Sequence, residues 1–113
     1  MLPGEIYLAN FPFGGSPGMK LRPVLLLTDT IGSVPEVLVA YISSVVPPHP
    51  LSSDLILDPR QPEHRTTNLK TISVLRLHKL ATIHGRSIAR RLGTISPAVS
   101  LTVAEKLRTL LNL

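Results

Sequence analysis

The 113-residue chain has no cysteine and no tryptophan, and its aromatic residues are Tyr7, Phe11, Phe13 and Tyr41 alone. Without cysteine, disulfides, thiolate catalysis and cysteine-based zinc sites are excluded. No apolar run approaches the roughly 20 residues of a membrane-spanning helix. The opening segment "MLPGEIYL" lacks the basic region and apolar stretch of a secretory signal. These absences lead to the expectation of a cytoplasmic protein without membrane attachment. The histidines, His49, His64, His78 and His84, follow no metal-ligand spacing, so neither a metal nor any other cofactor is expected. His49 and His64 fall in polar loops and His84 before a turn glycine, where no chemistry is expected of them. Gly14, Gly15 and Gly18 are not followed by a GK[ST] sequence, which rules out a P-loop and leaves them as a flexible loop over a site.

Acidic residues are scarce in the second half. Residues 1–59 carry two basic residues, Lys20 and Arg22, against five acidic ones; residues 60–113 carry ten basic residues against Glu63 and Glu105. Such asymmetry points to an anionic partner, a nucleic acid or an acidic protein, or in the plainer reading to a solvated basic surface. The aromatics all lie in the acidic half, so the basic half offers no stacking platform of the RRM or OB type. Hydrophobic content of 43% supports a folded core, and the length fits one domain over 1–113.

"GEIYLANF" alternates weakly and reads as a first strand. "PVLLLTD" is an apolar run bounded by breakers and too short for a helix, hence a buried strand. "EVLVAYISSVV" is a second, rich in β-branched residues. "PPHPLSSD" is irregular, "DLILD" a short strand and "PRQPEHRTTNLK" a long polar loop. "TISVLRLHKLATIHG" is strand material with a bend near His78 and Lys79, and "SIARRLGTI" a further short strand or turn. Ser96 as N-cap and Pro97 at the first helical position open a terminal helix, with Val99, Val103, Leu107, Leu110 and Leu111 on one face. Several short strands followed by one helix indicate a small barrel with a helix packed on it.

One detail stands apart. Pro23 cannot donate to a sheet ladder, so it belongs at a strand start or edge. It holds Arg22 where the glycine-rich loop "PFGGSPGMKL" meets a core strand. Scaffolded loops of this kind carry function. The plainer alternative for Arg22 is a pairing with an acid such as Asp29. Arg76, between Leu75 and Leu77, should face away from the core beside His78.

The segments "GEIYLANF", "KLRPVLLL", "LVAYISS", "SVLRLHKLATI" and "GTISPAVSLTVAEKLRTLL" occur in the order and spacing of one family. Over Gly4 to Leu111 the chain resembles the MazF/PemK toxins of bacterial toxin–antitoxin modules. The resemblance implies an SH3-like β-barrel of the CcdB/MazF type with a C-terminal α-helix, and a homodimer. It also implies metal-independent, sequence-specific cleavage of single-stranded RNA to a 2′,3′-cyclic phosphate and a 5′-OH. A cognate antitoxin with an acidic segment would block the site, and operator DNA would be bound only as the toxin–antitoxin complex. Carried over residue by residue, the family's catalytic positions fall on Arg22, Ser43, Arg76 and His78. Lys20, Ser44 and Lys79 are expected to bind RNA. His78 stands where some members have aspartate, and Gly14 to Lys20 lacks a histidine that some relatives carry there. Ser43 and Ser44 could equally be ordinary strand-end hydroxyls, and Arg76 a solvated strand arginine. Two rival functions are a CcdB-like gyrase poison and a catalytically silent barrel binding nucleic acid or antitoxin. Arg22 together with Arg76 argues against the first. Arg22, Ser43 and Arg76 jointly argue against the second.

Overall fold

A computed structural model describes residues 1–11 and 20–113. Within them the strands are β1 (Glu5–Asn10), β2 (Leu21–Leu26), β3 (Glu36–Ser43), β4 (Asp54–Leu57), β5 (Ser73–His84) and β6 (Ile88–Thr94), followed by helix α1 (Pro97–Leu111). They form one antiparallel sheet in the order β4-β5-β3-β2-β1-β6. The mainly-β class with a terminal helix is therefore as expected. The glycine-rich loop placed over the site by the sequence reading lies outside the described residues.

The apolar run of β2 is continuous because both faces of the sheet are covered. Leu25 joins Ile6, Ile42, Leu75 and Leu77 in a cluster capped by Val99 and Val103 of α1. Val24 and Leu26 face the other way, into a cluster with Ala9, Val37, Val39 and Ile83. Pro23 sits inside β2 rather than at its start. It is tolerated because the ladder to β3 begins only at Val24↔Tyr41, so no partner on that side needs its missing N–H.

In β5, Leu75 and Leu77 are fully buried, as the alternation requires. The expected bend is a wide bulge. Ala40 pairs with Leu80 and Tyr41 with Arg76, leaving Leu77, His78 and Lys79 outside the ladder to β3. Helix α1 starts as its sequence dictates, with the Ser96 hydroxyl accepting from the Val99 amide at 3.2 Å. Its covered stripe is narrower than the periodicity indicates: Val99 and Val103 are buried, while Leu110 and Leu111 are exposed.

The stretch read as a polar loop contains a 3₁₀ turn over Pro62–Thr67 that buries His64, Thr67 and, just beyond it, Leu69. This turn reaches across to β6. Thr66 Oγ1 donates to the Thr94 carbonyl at 2.8 Å, and Asn68 Nδ2 donates to the Leu92 carbonyl at 2.8 Å. Among the described residues no β4–β6 ladder forms, and this segment bridges toward β6 instead. The approach is so close that β6 has room only for a glycine at Gly93. A Cβ there would collide with the Thr66 carbonyl and lie 2.6 Å from the Thr67 carbonyl oxygen. Gly93→Ala should therefore destabilise the fold by about 3 kcal/mol in chemical denaturation, because the Thr66–Thr67 backbone, not a flexible side chain, meets the added methyl.

A second tie joins the N-terminal turn to β6. Arg91 Nε donates to Glu5 Oε2 at 2.6 Å and the Leu2 amide donates to Glu5 Oε1 at 2.6 Å. The Arg91 bond first, then the Leu2 amide, holds the Glu5 carboxyl below its ordinary value of 4.5. A lowered folded value means stabilisation that is complete above the unfolded value and is lost as pH falls through the folded one. Arg91 is half exposed, so the pair contributes about 1 kcal/mol or less. Glu5→Gln should be less stable than wild type at neutral pH, and the difference should shrink as pH falls below the ordinary carboxylate range.

Candidate nucleic-acid interface

Arg22 lies near the start of β2, half-buried, with Leu21 exposed beside it. Among the described residues its guanidinium has neither a hydrogen bond nor an ion pair, and Asp29 does not reach it. It borders a cleft of about 260 Å³ between the sheet and residues 68–71. The walls include Leu8, Pro23, Ile42, Leu69 and Leu92, while Tyr41, Ser44, Thr71, Lys70 and Arg90 supply polar groups. Among the described residues no acidic one lines the cleft. Lys70 and Arg90, like Arg22, have no carboxylate partner among the described residues. Three uncompensated cations around an apolar-walled cleft form a local positive field suited to an anion.

The adjacent serines part company at this point. Ser44 lines the cleft. Ser43 is buried, and its hydroxyl accepts from the Val45 amide at 3.1 Å and turns toward the Val45 carbonyl at 3.4 Å. Two residues beyond the last paired position, Val24↔Tyr41, the same register brings Ser43 level with Arg22. On β5, Ser43 pairs with Val74 and Tyr41 with Arg76. Arg22, Tyr41, Ser43 and Arg76 thus belong by alternation to one face of the sheet.

Arg76 is more enclosed than its place between two leucines implies, with 20% of its side chain exposed. Its Nε donates to Asp54 Oδ1 at 3.1 Å and its Nη2 to Asp54 Oδ2 at 3.3 Å. Asp54 stands directly opposite on β4, its side chain fully buried. His78 does lie beside Arg76: its Nδ1 is 3.9 Å from the same Oδ1. Neither Arg76 nor His78 lines the cleft. Tyr41 joins the two groups, since it lines the cleft and is the cross-strand neighbour of Arg76. The Lys79 ammonium sits 5.7 Å from the Tyr41 ring centroid, and the Phe11 ring packs on Tyr41 at 5.4 Å. Lys20 is exposed beside Leu21 at the entry to β2. His64, expected in a polar loop, is instead buried within the 3₁₀ turn, with Nδ1 unpartnered among the described residues and Nε2 3.7 Å from Glu63. Among the described residues no three histidine or acidic side chains cluster to hold a metal ion.

Tyr41, Lys70, Arg90 and Asp54 escape a reading of the sequence alone. Tyr41 lies in an apolar strand that reads as core, and Lys70, Arg90 and Asp54 gain their neighbours only through pairing distant in sequence. The aromatics also do not stay in an acidic half of the molecule. Tyr41 meets cations from the basic half, so the charge split along the chain is not a split in space.

The architecture has solved counterparts. The Mycobacterium tuberculosis toxin MazF-mt6 superposes with a TM-score of 0.74 at 23% identity, over 96% of this chain and 97% of that one. A mycobacterial endoribonuclease in complex with its cognate antitoxin superposes with a TM-score of 0.71 at 16% identity, over 100% of this chain and 96% of that one. No curated protein sequence matches the chain. The family description "PemK-like, MazF-like toxin of type II toxin-antitoxin system" matches residues 2–111, and the chain belongs to that family.

Removing each arginine should separate enclosure from availability. Arg76→Ala leaves the Asp54 carboxylate buried without its partner and should cost about 3–5 kcal/mol of stability. Arg22→Ala removes no hydrogen bond or ion pair among the described residues and should stay within about 0.5 kcal/mol of wild type. Urea denaturation of the two variants reads both values.

Proposed function

We propose that the protein is an endoribonuclease toxin that cleaves single-stranded RNA at specific sequences, without a metal ion. The observation that carries this reading is the cleft bordered by Arg22, Lys70 and Arg90, three cations with no acid among the described residues that line it. Family membership and the likeness to a solved endoribonuclease support it.

RNA supplies its own nucleophile. The 2′-hydroxyl oxygen forms a bond to the adjacent phosphorus as the bond to the 5′-oxygen breaks, giving a 2′,3′-cyclic phosphate and a 5′-OH. One group accepts the 2′-OH proton and another protonates the departing oxygen. Charge accumulates on the nonbridging oxygens, and the planar guanidinium of Arg22 matches them with two donors and stays charged. Donors already in place where charge develops are often the largest catalytic contribution. Arg76 and His78 stand on the same face of the sheet. In this reading His78 moves the proton and Arg76 holds a second phosphate oxygen. Ser43 lies level with Arg22 and supplies a hydroxyl to the reacting ribose or phosphate. Ser44 inside the cleft, Lys20 at its approach and Lys79 on Tyr41 carry the flanking strand.

The toxin acts in the cytoplasm as a homodimer. A cognate antitoxin with an acidic segment occupies the same cations, and operator DNA is bound only by the toxin–antitoxin complex. A gyrase-directed role requires no uncompensated cations around a cleft.

A long RNA incubated with the purified protein in EDTA tests the reading. Wild type should cut it. Arg22→Ala should lower the rate at least about 100-fold with the fold intact. Arg22→Lys should also be poor, since lysine lacks the two-donor fork. Wild-type activity in Arg22→Ala, or cutting only after a divalent ion is restored, would contradict it.

A further inference from the structure

We infer that Asp54 is a positioning residue of the cleavage site, a buried anion that aligns Arg76 and His78 together. The inference rests on the ribonuclease reading above and adds a residue to it. Asp54 opens the short edge strand β4, and its side chain is fully buried. Enclosing a carboxylate is costly, and an apolar side chain of similar size commonly serves stability as well as a buried ion pair does. The site therefore calls for an explanation beyond packing.

The bonding supplies one. The Leu51 amide donates to Asp54 Oδ2 at 2.8 Å and fixes the plane of the carboxylate. Arg76 then engages both oxygens through Nε and Nη2, at 3.1 and 3.3 Å. Two donors from one planar group leave the guanidinium no rotation. Its Nη1 is without a partner among the described residues, and the side chain is still partly open to solvent. The imidazole of His78 comes within 3.9 Å of Oδ1 through Nδ1. The bulge over Leu77–Lys79 frees this part of β5 from its β3 ladder, so His78 can be drawn toward Asp54. One carboxylate thus faces two groups that the proposed chemistry needs side by side, and neither line of contact passes through the cleft itself. Misplacing a reacting group by about 1 Å can cost about 100-fold in rate, so an anchor of this kind has measurable consequences.

The test is Asp54→Asn, which keeps an oxygen to accept from the Leu51 amide but turns an amide toward Arg76. With an RNA that wild type cleaves, kcat should fall about 100-fold while KM stays within about twofold. In an Arg76→Ala background, Asp54→Asn should lower kcat by less than it does in wild type, because part of its effect runs through Arg76 and only the part through His78 remains. A purely structural Asp54 would lower the melting temperature, leave kcat per folded molecule unchanged, and overturn the inference. Independent, multiplying losses in the double variant would also overturn it. If Asp54→Asn does not fold, wild type answers instead through the NMR signal of Arg76 Nε–H. That signal should be protected from solvent exchange and should shift when an RNA with a 2′-deoxy cleavage position is added. An unprotected signal that does not move would overturn the inference. Failure of wild type to cut RNA would overturn the ribonuclease reading and this inference with it. A cutting wild type, an inert Arg22→Ala and a fully active Asp54→Asn would overturn this inference alone.

Discussion

The contact of the Pro62–Thr67 turn with β6 decides whether there is a cleft at all. Lys70 and Thr71 follow that turn, and Arg90 and Leu92 lie on the strand it meets. Thr66 and Asn68 donate to carbonyls of β6, and Gly93 admits the turn because it has no Cβ. Without this approach one wall would stand away from Arg22, and three cations drawn from distant parts of the chain would not share a space. The helix contributes from the far side, where Val99 and Val103 seal the cluster around Leu25 and Leu75. The sheet end bearing the cleft is thereby left uncovered by α1.

The charges near that end form two populations. Arg76 is matched by Asp54, a buried anion whose burial demands the partner. Arg22, Lys70 and Arg90 are unmatched among the described residues, and mutual repulsion among them is a standing cost to the folded state. Cations held together without acids have their free energy restored when an anion arrives. The aromatic contact of Phe11 with Tyr41, and of Tyr41 with Lys79, lies between the two populations. Tyr41 lines the cleft and is also the cross-strand neighbour of Arg76.

Much of the fold was legible because it is encoded locally. β2 and β3 are continuous apolar runs, since each is covered on both faces. Ser96 and Pro97 mark the helix start without reference to any neighbour. Arg22 was legible for the same reason, because a proline beside it restricts the strand entry. What escaped is encoded over long separations. Asp54 and Arg76 lie 22 residues apart, and Thr66 and Thr94 lie 28 apart. The segment "PRQPEHRTTNLK" is polar in part because its Thr66 and Asn68 side chains bond across to another strand, and composition alone cannot distinguish that from solvation. His64 and Thr67 are buried there despite their polar neighbours. The bend at His78 was readable as a place but not as a three-residue bulge, which depends on register with β3.

The central claim is that the anion-binding surface is the cleft between β2, β6 and residues 68–71. Backbone and side-chain NMR shifts on titration with a single-stranded RNA blocked by 2′-O-methylation measure this directly. The account predicts that the largest shifts cluster on Arg22, Tyr41, Ser44, Lys70 and Arg90. Shifts confined to the outer face of α1 around Glu105 and Lys106, with Arg22 and Arg90 unmoved, would contradict it.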